Sequence, residues 1–439
     1  MTETYNGATA DHLHQCAITL PRGTLALTYQ INAATKRVND KHNLDTDVQP
    51  YQLADLLDFA QRINPKRAFL FVSKVLGRHI PIAPSTMRQA FTDLAHLVPN
   101  HLPEPILVIG MAETAVGLSA GVHQALQTRY PQALLLNSTR HAQHDDNNQE
   151  TLLTTFNEDH SHASQHLIYQ SADSVTQAQL LASKTLIMVD DEASTGNTCI
   201  NVVSALRDAG LTQLEQVHLT TLVDWSLAQA GMDDKIAERL PDIEFHRHHL
   251  LSGAWQWTDA PNPEPIVMPS VNTTAAGTQT LGNTGNWGRF PTLDSEDGFK
   301  DYLAQFQQNF SKFKGLPSFS ITSLPKRILV LGSNEFVWLP FLLAEWLEAQ
   351  TQESDIATAS TVKFSALTRS PIALGGAITT MLSFTDNYGL GMTNFAYNVE
   401  PSDWDLIVLC VETAADSVDT MWTDLGNVLV VSPASSILL

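Results

Sequence analysis

An apolar run, Leu186-Ile187-Met188-Val189, ends in two carboxylates, Asp190 and Asp191. Four apolar residues in a row predict a short strand buried on both faces. Glu192 and a small polar loop follow, Ala193-Ser194-Thr195-Gly196-Asn197-Thr198. A helical pattern comes next, Ile200, Val203 and Leu206, closed by Gly210. A loop at a helix N-terminus offers unpaired N–H groups and the positive end of a dipole, which suits a phosphate. Gly196 lets the backbone come close, while Ser194, Thr195 and Thr198 add hydroxyl donors. The loop holds no Lys, so it is not the Gly-Lys-Ser/Thr loop of nucleotide triphosphatases. Paired carboxylates at a strand end suit a diol instead. A phosphate and a diol side by side describe a ribose 5-phosphate. The same residues also read as a buried strand and turn whose acids cap the helix.

Three more stretches end an apolar run in reactive residues. Ile106 to Gly110 runs into Met111-Ala112-Glu113-Thr114, a small loop with one acid that opens a helix through Val122 and Leu126. Ala133 to Leu136 runs into Asn137-Ser138-Thr139-Arg140, which puts Arg140 where open α/β sheets bind ligands. Phe69 to Val72 runs into Ser73-Lys74, with Arg78 four residues on. Two cations there can neutralise a pyrophosphate, or simply edge a solvated loop.

Residues 141–166 are polar, rich in His, Asp and Asn, and weakly patterned before Leu152. Long loops of this kind are often lids. Glu158, His160, His162 and His166 fall within it. A His-x-His pair invites a metal, yet no Cys or spaced carboxylate set completes a site. His246, His248 and His249 are expected on the exposed face of a strand. Trp255 and Trp257 fit either packed core or base stacking.

The chain must supply elements that carry these groups. With 439 residues it should hold two or three domains. A net charge of −21 opposes nucleic acid and anionic membranes as partners. Cys16, Cys199 and Cys410 form no disulfide framework, so a reducing cytoplasm is expected. The first residues lack a signal-peptide pattern, and no apolar run reaches membrane-spanning length.

In chain order, Leu20 to Leu27 predicts a strand. Leu53, Leu56, Leu57, Ala60 and Ile63 predict a helix, as do 174–183 and 226–239. Val217 to Val223 predicts the strand after the acid pair, in a right-handed βαβ unit. Residues 258–291 are rich in Pro, Asn, Thr and Gly and read as a linker, with Trp287 to Phe290 docking back. The expected division is 1–257, a linker 258–291, and a second, smaller α/β domain over 292–439. There, Phe299, Tyr302, Leu303 and Phe306 mark a helix. Arg327 to Phe336 reads as a strand running into a Gly-Ser loop that hints at its own small-molecule site, and further strands lie at 404–411 and 428–431. Thr368-Arg369-Ser370-Pro371 reads equally as an anion-binding fork and as a structural turn, with Asp386 to Gly389 as a polar rim.

The stretch from Leu186 to Thr198 resembles the phosphoribosyl pyrophosphate (PRPP) motif of type I phosphoribosyltransferases. Ser73 to His79, Ala112-Glu113-Thr114, Glu158 to Ala163 and the Thr-Arg-Ser-Pro signature together resemble one branch of that class. Its members pair an orotate-phosphoribosyltransferase-like domain with a C-terminal TRSP domain and occur in bacterial tellurite-resistance and stress-response gene clusters. The resemblance implies a type I α/β sheet and PRPP-dependent transfer to an unidentified base-like acceptor, towards a nucleoside-like metabolite. Mg2+ would be bound mainly by ligand oxygens and water, with Asp190 and Asp191 near it. By the same resemblance, these two acids hold the ribose hydroxyls, residues 193–198 hold the 5′-phosphate, and Glu192 belongs to the PRPP-binding set. Ala112, Glu113 and Thr114 line the pyrophosphate side, with Lys74 and Arg78 as candidate cations for it, and Glu158, His160 and His162 belong to a closing hood; Asp190, Asp191, Glu113 and Arg140 are the candidate catalytic residues. Partners are small molecules, and a homodimer is left open. The alternative function is a non-catalytic PRPP or nucleotide sensor, although no DNA-binding module is visible.

Overall fold

The computed structural model describes residues 13–32, 36–38, 48–62, 67–142, 151–157, 165–226, 235–262, 278–352 and 360–433. The elements run β1 (His14–Leu20), β2 (Gly23–Ile31), β3 (Lys36–Val38), β4 (Val48–Pro50), α1 (Leu53–Leu56), β5 (Leu57–Gln61), β6 (Phe69–Ser73) and α2 (Pro84–Leu97). Next come β7 (Ile106–Gly110), α3 (Val116–Leu126), β8 (Leu134–Asn137), β9 (Leu152–Asn157), β10 (Gln165–Tyr169) and α4 (Ser174–Leu181). They continue with β11 (Thr185–Ala193), α5 (Asn197–Asp208), β12 (Gln216–Asp224), α6 (Lys235–Arg239) and β13 (Glu244–Asp259). The last are α7 (Phe299–Phe313), β14 (Arg327–Ser333), α8 (Trp338–Gln352), β15 (Thr361–Leu367), β16 (Met381–Thr385), β17 (Thr393–Tyr397), β18 (Leu406–Cys410), α9 (Thr420–Thr423) and β19 (Val428–Val431).

Two compact units result. The first is Met1–Leu56, Arg88–Pro263 and Gly288–Ser295; the second is Leu57–Met87, Glu264–Trp287 and Glu296–Leu439. This division differs from the expected one at three places, the first being that 264–287, expected as linker, belongs to the second unit. The β5–β6 hairpin joins the second unit, where Gln61 pairs with Ala373 and where Ala60 and Val72 share a core with Ile372, Ile378 and Phe395. Gly288–Ser295 joins the first, docking on β8: Asn137 N–H donates to Gly288 O, and Leu135 pairs with Thr292.

The first unit is built on a seven-stranded sheet in the order β1-β2-β13-β12-β11-β7-β8. β13, β12, β11, β7 and β8 are parallel, while β2 and β1 extend the sheet antiparallel. Leu107, Ile109, Leu186, Met188, Val217 and Leu219 share a buried core with Cys199, Val203 and Leu206 of α5. A fully buried aliphatic side chain contributes about 1.5–3 kcal/mol, so the 186–189 run anchors whatever follows it. From β7 the chain passes out to β8, then returns to β11 on the other side of β7. The strand order therefore reverses between β7 and β11, the place where open α/β sheets bind ligands at their C-terminal edge.

Several elements depart from expectation. The Leu53–Ile63 stripe is helical only over Leu53–Leu56 and then becomes β5, because Leu57 to Gln61 pairs with Ser73 to Phe69. Ile63 lies outside the described residues. The expected strand at Leu20 to Leu27 is a hairpin turning at Pro21-Arg22. The polar stretch before α4 holds an antiparallel pair, β9–β10, with Phe156 and Ile168 buried. Of the described residues in the expected helix 226–239, Lys235–Arg239 is helical and Ser226 is not. The strand histidines are half-buried rather than exposed: His218 Nδ1 lies 2.8 Å from His248 Nε2, and His246 stacks on His218.

The second unit carries a parallel sheet in the order β15-β14-β18-β19 and a separate hairpin, β16–β17. Helix α7 and the strands at 327–333, 406–410 and 428–431 lie where the sequence predicts them. Among the described residues no helix is long and apolar enough to cross a membrane.

Candidate active site

Val189 and Gly110 sit side by side in the β11–β7 register. Beyond that level β7 gives way to the 112–114 loop, whereas β11 continues along β12 to Ala193, so Asp190 and Asp191 lie within the strand rather than just past its expected end at Val189, beside the loop at the switch point. Thr114 Oγ1 donates to Asp191 Oδ1 at 2.9 Å. The Asp191 backbone N–H donates to Asp190 Oδ1, also at 2.9 Å. The Ala112–Glu113 peptide is cis. Burial first, and then the neighbouring Glu192 carboxylate, raise Asp191 above the usual carboxylate range.

A closed circuit backs this loop. Ala112 N–H donates to Ser138 Oγ at 3.0 Å. Ser138 Oγ lies 2.9 Å from His166 Nδ1, and His166 Nε2 lies 3.4 Å from Arg140 Nη2. Arg140 in turn approaches Glu113 at 3.8 Å. Ser138, His166 and Glu113 are buried, and the His166 ring stacks on Phe156 at 4.7 Å. Sequence reading placed His166 in a lid and gave Ser138 no part. The signal was its position two residues before Arg140 on the end of a strand that aims its residues at the switch point.

The phosphate loop closes the other side. Gly196 has φ +73° and caps α5 with no side chain, which leaves that N-terminus open to an anion. A Cβ at Gly196 would run into the Ile236 side chain of α6. Arg239 of the same helix donates to Asn197 Oδ1 at 2.8 Å, fixing the start of α5. Next to the loop, Trp225 N–H donates to Ala193 O, and buried Asp224 pairs with Arg247 at 2.7 Å.

The first unit thus brings together Ala112, Glu113, Thr114, Arg140 and Asp190 to Thr198. Lys74 and Arg78 belong to the second unit, where Arg78 Nη1 donates to Asn334 O at 2.6 Å. Thr368, Arg369, Ser370 and Pro371 lie there too: Thr368 is buried, Arg369 half-buried and Ser370 exposed. Glu158, His160 and His162 lie outside the described residues. Trp255 and Trp257 are half-buried on β13. Among the described residues no group of three or more His, Cys, Asp or Glu is arranged to hold a metal.

Residues 56–254 match the family described as phosphoribosyl transferase (PRTase_2), and residues 287–429 match the TRSP domain, described as C-terminal to PRTase_2. The chain carries a phosphoribosyl transferase domain followed by a TRSP domain. The phosphoribosyl transferase match takes in both loops at the switch point and also 57–87, while the TRSP match takes in β14, β15 and β18 and ends within β19.

No curated protein matches the chain. Among solved structures, adenine phosphoribosyl transferase from Trypanosoma brucei is 11% identical, over 44% of this chain and 76% of that one, with a TM-score of 0.28. The adenine enzyme from Leishmania tarentolae is 13% identical, over 46% and 85%, with a TM-score of 0.30. Orotate phosphoribosyltransferase from Aeropyrum pernix is 15% identical, over 44% and 83%, with a TM-score of 0.24. Scores this low carry no weight beside the family matches and the geometry.

Proposed function

We propose that the phosphoribosyl transferase domain moves the phosphoribosyl group of PRPP to a base-like acceptor and releases pyrophosphate. The observation that carries this reading is the 2.9 Å bond from Thr114 to Asp191, which ties the acid pair to the neighbouring loop across the strand reversal. Asp190 and Asp191 accept from the two ribose hydroxyls. The amides and hydroxyls of Ala193 to Thr198 hold the 5′-phosphate, with the open end of α5 behind them. Arg140 and the 112–114 loop face the pyrophosphate. The bond from ribose C1 to the pyrophosphate oxygen breaks, and a bond from C1 to the acceptor nucleophile forms. The acceptor's proton leaves to solvent. Positive charge develops on the ring as negative charge develops on the leaving group, and the acids and Arg140 sit at the matching ends.

Mg2+ commonly takes one or two protein carboxylates and completes its shell with substrate oxygens and water. Asp190 and Asp191 would supply such a carboxylate pair, and Glu113 would reach the ion through water. When bound, the ion neutralises the leaving pyrophosphate.

Calorimetry with PRPP and Mg2+ tests the reading. Asp190→Asn with Asp191→Asn should weaken binding by about a hundredfold or more, since two charge-assisted bonds are lost. Wild-type affinity should also fall as the pH drops through the raised pKa of Asp191, because the protonated acid accepts poorly. Undiminished binding in the double variant would refute the assignment. Pyrophosphate release screened against purines, pyrimidines and small aromatic amines then identifies the acceptor.

A further inference from the structure

The TRSP-domain sheet has a strand reversal of its own. Its chain leaves β14 through α8 to β15, then resumes at β18 on the other side of β14. Ser333 and Asn334 end β14, while Glu412 and Thr413 follow β18. The turn after β16 brings in Asn387 and Tyr388. Ser333 Oγ donates to Asn387 Oδ1 at 2.6 Å, Asn387 Nδ2 to Thr413 Oγ1 at 2.8 Å, and Tyr388 OH to Glu412 Oε1 at 2.7 Å. All six side chains are buried.

Two amides at this edge make none of their bonds. Asn334 and Asn394 are both 0% exposed, and neither Nδ2 nor Oδ1 of either has a hydrogen-bond partner. Both flank the end of β15. Asn334 N–H donates to Leu367 O at 3.2 Å, and Phe395, next to Asn394, exchanges two backbone bonds with Thr368. Buried polar groups are satisfied almost without exception, and an orphaned one carries its full desolvation cost. Two such amides on one strand end call for a partner.

A strap lies over the same edge. Gln279 N–H donates to Tyr388 O at 3.2 Å, and Gly282 N–H donates to Glu412 O at 2.7 Å. Gly389 has φ +68°, and a Cβ there would strike Thr278 Oγ1. A Cβ on Gly282 would stand 2.6 Å from Pro433. The strap is therefore seated closely, yet Thr278, Gln279 and Thr280 are exposed on its outer side.

Charge narrows what fits. Glu335, Asp386 and Glu412 are buried carboxylates, against the guanidiniums of Arg78 and Arg369. Asp386 is held by the backbone N–H groups of Tyr388, Leu390 and Met392. Among these described groups carboxylates outnumber guanidiniums, which disfavours a phosphate. A carboxamide offers one donor group beside one acceptor, and a hydroxyl answers both. We propose that the β14–β18 edge of the TRSP domain binds a neutral, hydroxyl-rich small molecule of pentose or nucleoside type, beneath the Thr278–Gly282 strap. This stands apart from the transfer reaction of the first unit.

The test uses the full chain carrying Asp190→Asn and Asp191→Asn, so that the first unit's ribose contacts are silenced. Ribose, adenosine and ribose 5-phosphate are added, and melting and hydrogen exchange are followed. Ribose or adenosine should raise the melting temperature by about 3 °C or more at a hundredfold excess over Kd. Amide exchange at Thr278 to Gly282 should slow. Whichever neutral compound acts separates a free sugar from a nucleoside. Asn394→Leu should raise the unliganded melting temperature, since it removes an unpaired amide at similar volume, and should abolish the ligand shift. If that variant does not fold, Gly282→Val, which wedges the strap from Pro433, should abolish the same shift. No response to either neutral compound overturns the proposal, as does a response to ribose 5-phosphate alone. A lowered melting temperature in folded Asn394→Leu also overturns it, by showing an amide already bonded to trapped water.

Discussion

At His166 the imidazole can serve both neighbours in only one tautomer. A guanidinium has no acceptor, so Arg140 must donate to Nε2, which leaves the proton on Nδ1 to be given to Ser138 Oγ. Ser138 then receives two donors, His166 and the Ala112 amide. The ring holds the 112–114 loop and Arg140 in one frame without needing to touch a substrate. His166→Phe keeps the stacking on Phe156 but removes both nitrogens. It should cost about 1–3 kcal/mol in unfolding free energy, through the buried partners left behind. Pyrophosphate affinity should also fall in calorimetry, because Arg140 loses its orientation. A variant that binds pyrophosphate like the wild type would make His166 a packing residue only.

The loop-to-helix joint at Gly196 is the element on which phosphate binding depends. Its left-handed φ disfavours any side chain, and the space a Cβ needs is filled by Ile236. Gly196→Val should lower stability by about 2 kcal/mol and weaken PRPP binding more than it weakens binding of free pyrophosphate. Adding Ile236→Ala should recover part of the binding loss, and a double-mutant cycle would read the coupling. This joint was legible in the sequence because strand, acids, loop and helix lie within one contiguous run. Leu53 to Ile63 was not, because its apolar spacing fits a helix while its partner strand, Phe69–Ser73, wins over propensity. The β9–β10 pair was obscured by polar residues that break its alternation. Arg78 shows a different limit: its bond to Asn334, 256 positions away, follows from tertiary packing that no local pattern encodes.

Across the whole molecule, buried and half-buried histidines contribute to the response to acid. Burial lowers His123 to about 4, and burial with neighbouring imidazoles lowers His218 to about 3 and His248 to about 4. In the unfolded chain each returns to about 6.5. A depressed folded value means that the unfolded state takes up more protons. Stability is therefore fully present above about pH 6.5 and is lost as the pH falls towards 4. Urea midpoints should drop steadily between pH 6.5 and 4.5, with a slope approaching three protons. His218→Gln with His248→Gln should flatten that slope. An unchanged slope would show that these rings are already charged in the native protein.

The longest strand has a two-sided duty. The first part of β13 runs alongside β12 in parallel, while Leu251 to Asp259 is zipped antiparallel to Ile31 to Gly23. Clipping away the amino-terminal hairpin would strip nine residues of their hydrogen-bonding companion and leave a raw border on the sheet. Such a border recruits other chains, so a shortened protein would meet its first difficulty in solubility, well before any chemistry at the opposite rim was affected.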